Sequence, residues 1–158
     1  DEFLGKVMVI DGGPSEKGIE STVVSMVHTP TILRPGSISI EDIAVYIGVT
    51  ETTESSNQTN SPGTTTKHYA PKTNVCACTS RSIEDISDNN CVVLSITTKP
   101  IITKQIIAMP ITSKKYASVL YAALRKADTL GASTIYIELP PTTSEWRAVL
   151  DRITRCCA

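Results

Sequence analysis

Two stretches carry residue types from which a substrate site can be built: Glu20-Ser21-Thr22-Val23-Val24 and Ile32-Leu33-Arg34-Pro35-Gly36. A hydroxyl pair opens one β-branched apolar run and an arginine closes the next. Bringing the two together would set a guanidinium, whose planar fork of donors suits phosphate, beside hydroxyl groups. Before Glu20 no residue stands out as a general base, a metal ligand or a grip for a second substrate, so the stretch outlines a site with one wall. A second concentration of chemistry lies at Lys67-His68-Tyr69-Ala70-Pro71, where an ammonium, an imidazole and a phenol follow one another. On residue pattern alone this piece serves as well as a rigid, proline-bounded tether.

Several other chemistries lack their patterns. Gly13 and Gly18 have the glycine spacing of a phosphate-binding P-loop, yet Ile19-Glu20 stands where that motif requires Lys-Ser/Thr, so they read as turn glycines. His28 sits between two apolar runs, with no Cys, Asp or Glu nearby in sequence, and reads as a solvated turn residue. Cys76, Cys78, Cys91, Cys156 and Cys157 show neither the paired knuckles of a zinc site nor the regular spacing of a disulfide framework. They are expected to be reduced thiols, with no metal bound.

The 158 residues suffice for one ordinary domain, or a small one with an appendage. A formal net charge of -1 leaves no electrostatic footprint for nucleic acid or a membrane surface. No apolar run approaches the length of a membrane span, and Asp1-Glu2-Phe3-Leu4 has neither the basic start nor the apolar core of a signal peptide. A cytoplasmic protein is expected. The first residue is Asp rather than Met, as in a cut or processed piece.

Three regions must position the candidate residues. In residues 1–48, Val7-Met8-Val9-Ile10 predicts a strand ending in the turn Asp11-Gly12-Gly13-Pro14. Thr22 to Val27 and Thr31 to Leu33 predict two more strands. Ser39-Ile40-Glu41-Asp42 then predicts an N-cap, with Ile40, Ile43 and Ile47 along one face of a short helix that stops near Gly48. Residues 49–72 are so rich in Thr, Ser, Asn and Gln that burial cannot offset the entropy of ordering them, and they read as a polar linker. Residues 73–158 alternate apolar strands (Val75 to Thr79, Cys91 to Ile96, Gln105 to Met109, Thr134 to Leu139) with helices. A short helix is predicted from Ser82. An amphipathic one spans Ser113 to Leu130, with Tyr116, Leu120, Leu124 and Ala127 on its apolar face. A last helix is capped by Ser144 and buries Trp146, Val149, Leu150 and Ile153. This alternation predicts an α/β fold, a small open sheet of mostly parallel strands. No Gly-x-Gly-x-x-Gly follows its first strand, so the dinucleotide fingerprint is absent. Lys114, Lys115, Arg125, Lys126, Arg147 and Arg155 read as a solvated face rather than a tRNA patch.

Asp11-Gly12-Gly13-Pro14, Gly18-Ile19-Glu20-Ser21-Thr22-Val23-Val24 and Ile32-Leu33-Arg34-Pro35-Gly36 together resemble the closing portion of a YrdC-like domain. Ser61-Pro62-Gly63, Lys67-His68-Tyr69-Ala70-Pro71 and Leu120-Tyr121-Ala122-Ala123-Leu124-Arg125 extend the resemblance to the two-domain threonylcarbamoyl-AMP synthases, over nearly the whole chain. The resemblance implies a β-rich remnant of a YrdC-like α/β domain (1–48), a linker that acts as a lid (49–72) and a small Rossmann-like domain (73–158). It implies condensation of L-threonine, bicarbonate or CO2 and ATP to threonylcarbamoyl-adenylate and pyrophosphate. That product would feed the tRNA-modification machinery without direct tRNA binding here. ATP would be a substrate, accompanied by Mg2+, with no prosthetic group. Ser21 and Thr22 would serve threonine, Thr22 by supporting its strand end, whereas Arg34, Tyr69 and His68 would serve the nucleotide. The family's Lys-x-Arg and Ser-x-Asn motifs do not precede Asp11, so the chain by itself is expected to be inactive and to need an N-terminal catalytic portion. The alternative is a nucleotide-responsive regulatory or structural α/β module without catalysis of its own.

Overall fold

The computed structural model describes residues 7–13, 15–48, 51–52, 70–97 and 105–158. The first unit is a small sheet in the order β1-β2-β3, formed by β1 (Val23–Ser25), β2 (Thr31–Arg34) and β3 (Glu51–Thr52). β1 and β2 pair antiparallel, Val23 facing Arg34 and Ser25 facing Thr31, with a register shift after Val23. The turn between them takes His28 through a left-handed φ of 62°, a conformation His adopts more readily than most side chains. β3 joins parallel to β2, within the stretch whose composition reads as linker.

The predicted strand over Val7 to Ile10 does not form. Those four residues are exposed and pair with nothing among the described residues, because an apolar run becomes a strand only where a second strand takes up its ladder of hydrogen bonds. The turn that follows does form, with the Gly13 N–H donating to Asp11 Oδ1 at 2.8 Å. Helix α1 (Ile40–Ile47) is bounded as its residues dictate. Ser39 Oγ accepts from the Asp42 N–H at 3.1 Å, and Gly48 ends the helix in a left-handed turn with φ 62°.

The second unit is a four-stranded, wholly parallel sheet in the order β4-β7-β5-β6, formed by β4 (Asn74–Cys78), β5 (Cys91–Ser95), β6 (Gln105–Ala108) and β7 (Thr134–Glu138). Strand β7 enters between β4 and β5. Helices α2 (Ser113–Asp128) and α3 (Arg147–Cys156) cover one face, where Tyr116, Leu120, Leu124, Val149 and Ile153 pack on Val75, Val92, Leu94, Ile135 and Ile137. The opposite face holds a smaller cluster of Cys78, Cys91 and Val93 under Ile83. The helix predicted from Ser82 is instead a turn. Ser82 Oγ donates to the Thr79 carbonyl at 3.0 Å and accepts the Thr79 N–H at 2.9 Å, which gives the backbone an alternative to helical bonding. Thr143, not Ser144, takes the cap position of the last helical segment, which opens with a turn of 3-10 helix at Ser144–Trp146. All five cysteines carry thiols; burial pushes Cys78 and Cys156 up to about 11, so both stay protonated at neutral pH.

Candidate functional site

The hairpin brings the predicted pair together. Arg34 closes β2 opposite Val23, and its guanidinium reaches back to the residue two places ahead of β1. Its Nε donates to the Ser21 carbonyl at 3.2 Å and Nη2 to Ser21 Oγ at 3.5 Å. Arg34 is 9% exposed while Ser21 is open to solvent, so a largely buried cation stands directly behind an accessible hydroxyl. Thr22 has another task. Its Oγ1 donates to the Ile38 carbonyl at 2.7 Å and accepts the Ile38 N–H at 3.3 Å, latching the segment before β1 to the loop after β2. Gly36 lets those backbones cross, since a Cβ there would lie 2.2 Å from the Thr22 nitrogen and 2.4 Å from the Ser21 carbonyl carbon. Tyr69 and His68 lie outside the described residues.

The second unit reaches into this crossing. Arg152, buried at 3% exposure on α3, donates from Nε to Glu20 Oε2 at 2.8 Å and from Nη2 to the Pro35 carbonyl at 3.1 Å. The same guanidinium meets Asp151, which also takes two bonds from Arg155, at 2.9 and 3.0 Å. Tyr121 adds its hydroxyl to Glu20 Oε2 at 3.4 Å. Burial alone would push the Glu20 carboxyl up, but its own backbone N–H and the Arg152 guanidinium outweigh that and hold it below the usual range. Next to Glu20, Gly18 takes φ 66° and presses on α2, so a Cβ would lie 2.4 Å from Ser118 Cα. The missing side chain is what lets the backbone pack this closely on α2.

Two cavities flank the crossing, and neither is lined by Ser21 or Arg34. One of about 510 Å³ touches Lys17, Thr22, Gly36, Ser39, Lys114 and Arg147. The other, about 780 Å³, lies among Gly18, Glu20, Pro71, Tyr121, Arg125 and Asp128. Asp128 fixes the returning chain on its rim by accepting the Lys72 and Thr73 N–H groups at 3.2 and 2.8 Å and the Thr73 hydroxyl at 2.7 Å. Lys114, Lys115, Arg125, Lys126 and Arg147 are exposed as their spacing predicts, whereas Arg155 is half-buried on Asp151. Among the described residues no three His, Cys, Asp or Glu side chains converge as a metal would require. Nor, among them, is any helix long and apolar enough to cross a membrane.

Arg152 and the interface role of Glu20 were not visible in the residue pattern by itself. A signal existed: Arg152 follows Val149 by three positions and precedes Cys156 by four, on the buried stripe of its helix.

Together, fold and site define an open parallel α/β unit docked on a β-hairpin that presents an arginine–serine pair. Residues 38–158 match the family model described as "Threonylcarbamoyl-AMP synthase, C-terminal domain", and the chain belongs to that family. It is similar to the threonylcarbamoyl-AMP synthases of Pyrococcus abyssi, at 27% identity over 98% of this chain and 51% of that protein, and of Bacillus subtilis, at 39% identity over 44% of this chain and 22% of that protein. Among solved structures, that of P. abyssi Sua5 complexed with L-threonine superposes with a TM-score of 0.83 at 26% identity, over 98% of this chain and 51% of that one. A histidine–tyrosine double-alanine variant of the same P. abyssi protein shares the fold, with a TM-score of 0.81 at 24% identity over 93% and 47% of the two chains. The chain thus spans about half the length of the P. abyssi relative it matches from end to end.

Proposed function

We propose that this chain supplies one wall of the substrate cleft of an L-threonylcarbamoyladenylate synthase, a nucleotidyltransferase that consumes L-threonine, bicarbonate or CO2 and ATP and releases pyrophosphate. The product would serve tRNA threonylcarbamoyladenosine formation. The observation that carries the reading is the Arg34 fork seated on the carbonyl and hydroxyl of Ser21, in a chain of this family. In this reading Ser21 offers its exposed hydroxyl to threonine. Thr22 holds the strand end through Ile38, and Arg34 supplies fixed positive charge where nucleotide phosphate passes. His68 and Tyr69 would serve the nucleotide, and just after them in sequence Asp128 anchors the chain at Lys72 and Thr73. A lid from that side would keep water from carbamate and carbamoyl-phosphate species, which hydrolyse readily. ATP would enter with Mg2+ on its phosphates, as part of the substrate.

The exposed apolar residues of the first unit fit a wall that another portion of protein covers: Met8, Ile10, Met26, Val27, Val45 and Tyr46 are all more than half exposed. The test is reconstitution. Pyrophosphate release is measured from this chain combined with the Lys-x-Arg- and Ser-x-Asn-bearing portion of a synthase, with threonine, bicarbonate and ATP varied in turn. Arg34→Ala is expected to lower kcat/KM for ATP by about a hundredfold, the scale of losing a charge-assisted contact to phosphate. Unchanged kinetics in Arg34→Ala and Ser21→Ala would remove both residues from the site.

A further inference from the structure

Arg152 belongs to neither cavity and to no catalytic motif, yet it is among the most buried charged side chains described. A guanidinium taken out of water is strongly destabilising unless its donors are met, so its partners show what it is for. One is the Glu20 carboxylate, in the residue just before Ser21. Another is the Pro35 carbonyl, in the residue just after Arg34. A single planar fork from α3 therefore grips both chain segments that carry the candidate substrate pair, each one residue from the group it presents. Asp151 braces the same guanidinium from its own helix, and Tyr121 of α2 adds its hydroxyl to Glu20. The contact is made across the two units, with Arg152 lying 132 residues from Glu20 and 117 from Pro35 along the chain.

We propose that Arg152 is a positioning residue: it fixes the separation of Ser21 and Arg34, so that the α/β unit sets the geometry of the substrate wall. The part that concerns substrate rests on the reading above; the mechanical part does not. Lysine cannot replace it, because a single ammonium on a flexible stem lacks the rigid fork that spans two acceptors. Asp151 and Arg155 make an ion pair that survives loss of Arg152, so α3 keeps its own bracing.

Amide hydrogen exchange of this chain separates the possibilities, with β5 and β7 as internal reference for global opening. In Arg152→Ala, residues 20–24 and 31–36 are expected to exchange about tenfold faster or more while the reference strands do not change. Arg152→Lys, which keeps the charge and folds more readily, is expected to give a smaller acceleration, concentrated at the Arg34 and Gly36 amides that flank Pro35, whose carbonyl bond is lost. Equal acceleration everywhere, or none at 20–24 and 31–36, overturns the proposal. In the reconstituted synthase, assayed well below the variant's melting transition, Arg152→Lys should raise KM for threonine and ATP together. Unchanged KM values beside accelerated local exchange overturn the substrate part. If the wild-type assembly instead shows no threonine-dependent turnover while local exchange responds as expected, the clamp stands and the synthase reading falls.

Discussion

Replacing Glu138 with Gln should cost this protein a large part of its stability, in a way that pH can trace. Glu138 closes β7 at the centre of the parallel sheet and is 3% exposed. Its Oε1 accepts the Ser80 hydroxyl at 2.5 Å and also the Thr97 hydroxyl; its Oε2 accepts the Ser95 hydroxyl at 2.5 Å and the N–H groups of Ile96 and Thr97 at 2.8 and 2.9 Å. The carboxylate thereby ties together the chain leaving β4, β5 and β7. Burial alone would push this carboxyl up, but the hydroxyls of Ser80, Ser95 and Thr97 and the Thr97 N–H bring it down to about 2 from an ordinary 4.5. That difference is worth about 3 kcal/mol of stability, since each tenfold change in proton affinity is about 1.4 kcal/mol. A group lowered in the folded state stabilises fully above its unfolded value and loses the contribution as pH falls from about 4.5 toward 2. Gln also turns an amide NH2 toward donors that need an acceptor. Urea denaturation of wild type and Glu138→Gln should therefore differ by about 3 kcal/mol at pH 7, and the gap should narrow by about 2 kcal/mol at pH 3. A gap below about 1 kcal/mol at pH 7, or one that is the same at both pH values, would refute this account of the cluster.

Other perturbations read different parts of the structure. Gly18→Ala should cost about 3 kcal/mol or more, because a strained φ of 66° is joined to a Cβ only 2.4 Å from Ser118 Cα. Gly131→Ala, with φ 70° but open space around it, should cost about 1 kcal/mol; equal costs by denaturant titration would show that Gly18 is not pressed on α2. Tyr116→Phe should leave stability unchanged or raise it by up to about 1 kcal/mol, since the Tyr116 hydroxyl is buried with no hydrogen-bond partner among the described residues. A loss of more than about 1 kcal/mol would mean that it has one. Asp128 is held below its ordinary 3.8, chiefly by the hydroxyl and N–H of Thr73, so the Thr73 amide resonance should titrate with a midpoint under 3.8. The anchor is complete above that value and lost as pH falls through the lowered one; a midpoint at or above 3.8 would contradict the bonding.

Features legible in the sequence are those decided within a few residues. Ser39 and Gly48 bound α1 because cap and stop are local chemistry, and the stripe of Tyr116, Leu120, Leu124 and Ala127 identifies the buried face of α2 by spacing alone. Strand order is not local. Nothing in Thr134 to Glu138 announces that it inserts between β4 and β5, since that depends on pairing partners far away in sequence. The same dependence defeats the strand expected at Val7 to Ile10. At Ser82, two apolar residues, Ile83 and Ile86, were too few to hold a helix against a hydroxyl-closed turn. Ser21 and Arg34 could be named from their residue types at the ends of two apolar runs, with resemblance supplying their expected roles, and their meeting follows from the antiparallel pairing of β1 and β2. Glu20 was part of the same motif, yet its carboxylate faces α3. Its partner Arg152 is a charged residue on an apolar stripe, where a periodicity count registers only an interruption.

Pyrophosphate release, with ATP, threonine and bicarbonate all present, tests the central claim most directly. We expect none above background from this chain alone, and threonine-dependent release once the portion bearing Lys-x-Arg and Ser-x-Asn is supplied, lost again with Arg34→Ala. Threonine-dependent release from the chain alone, or a reconstituted activity indifferent to Arg34→Ala, would contradict a wall of the cleft built on Ser21 and Arg34.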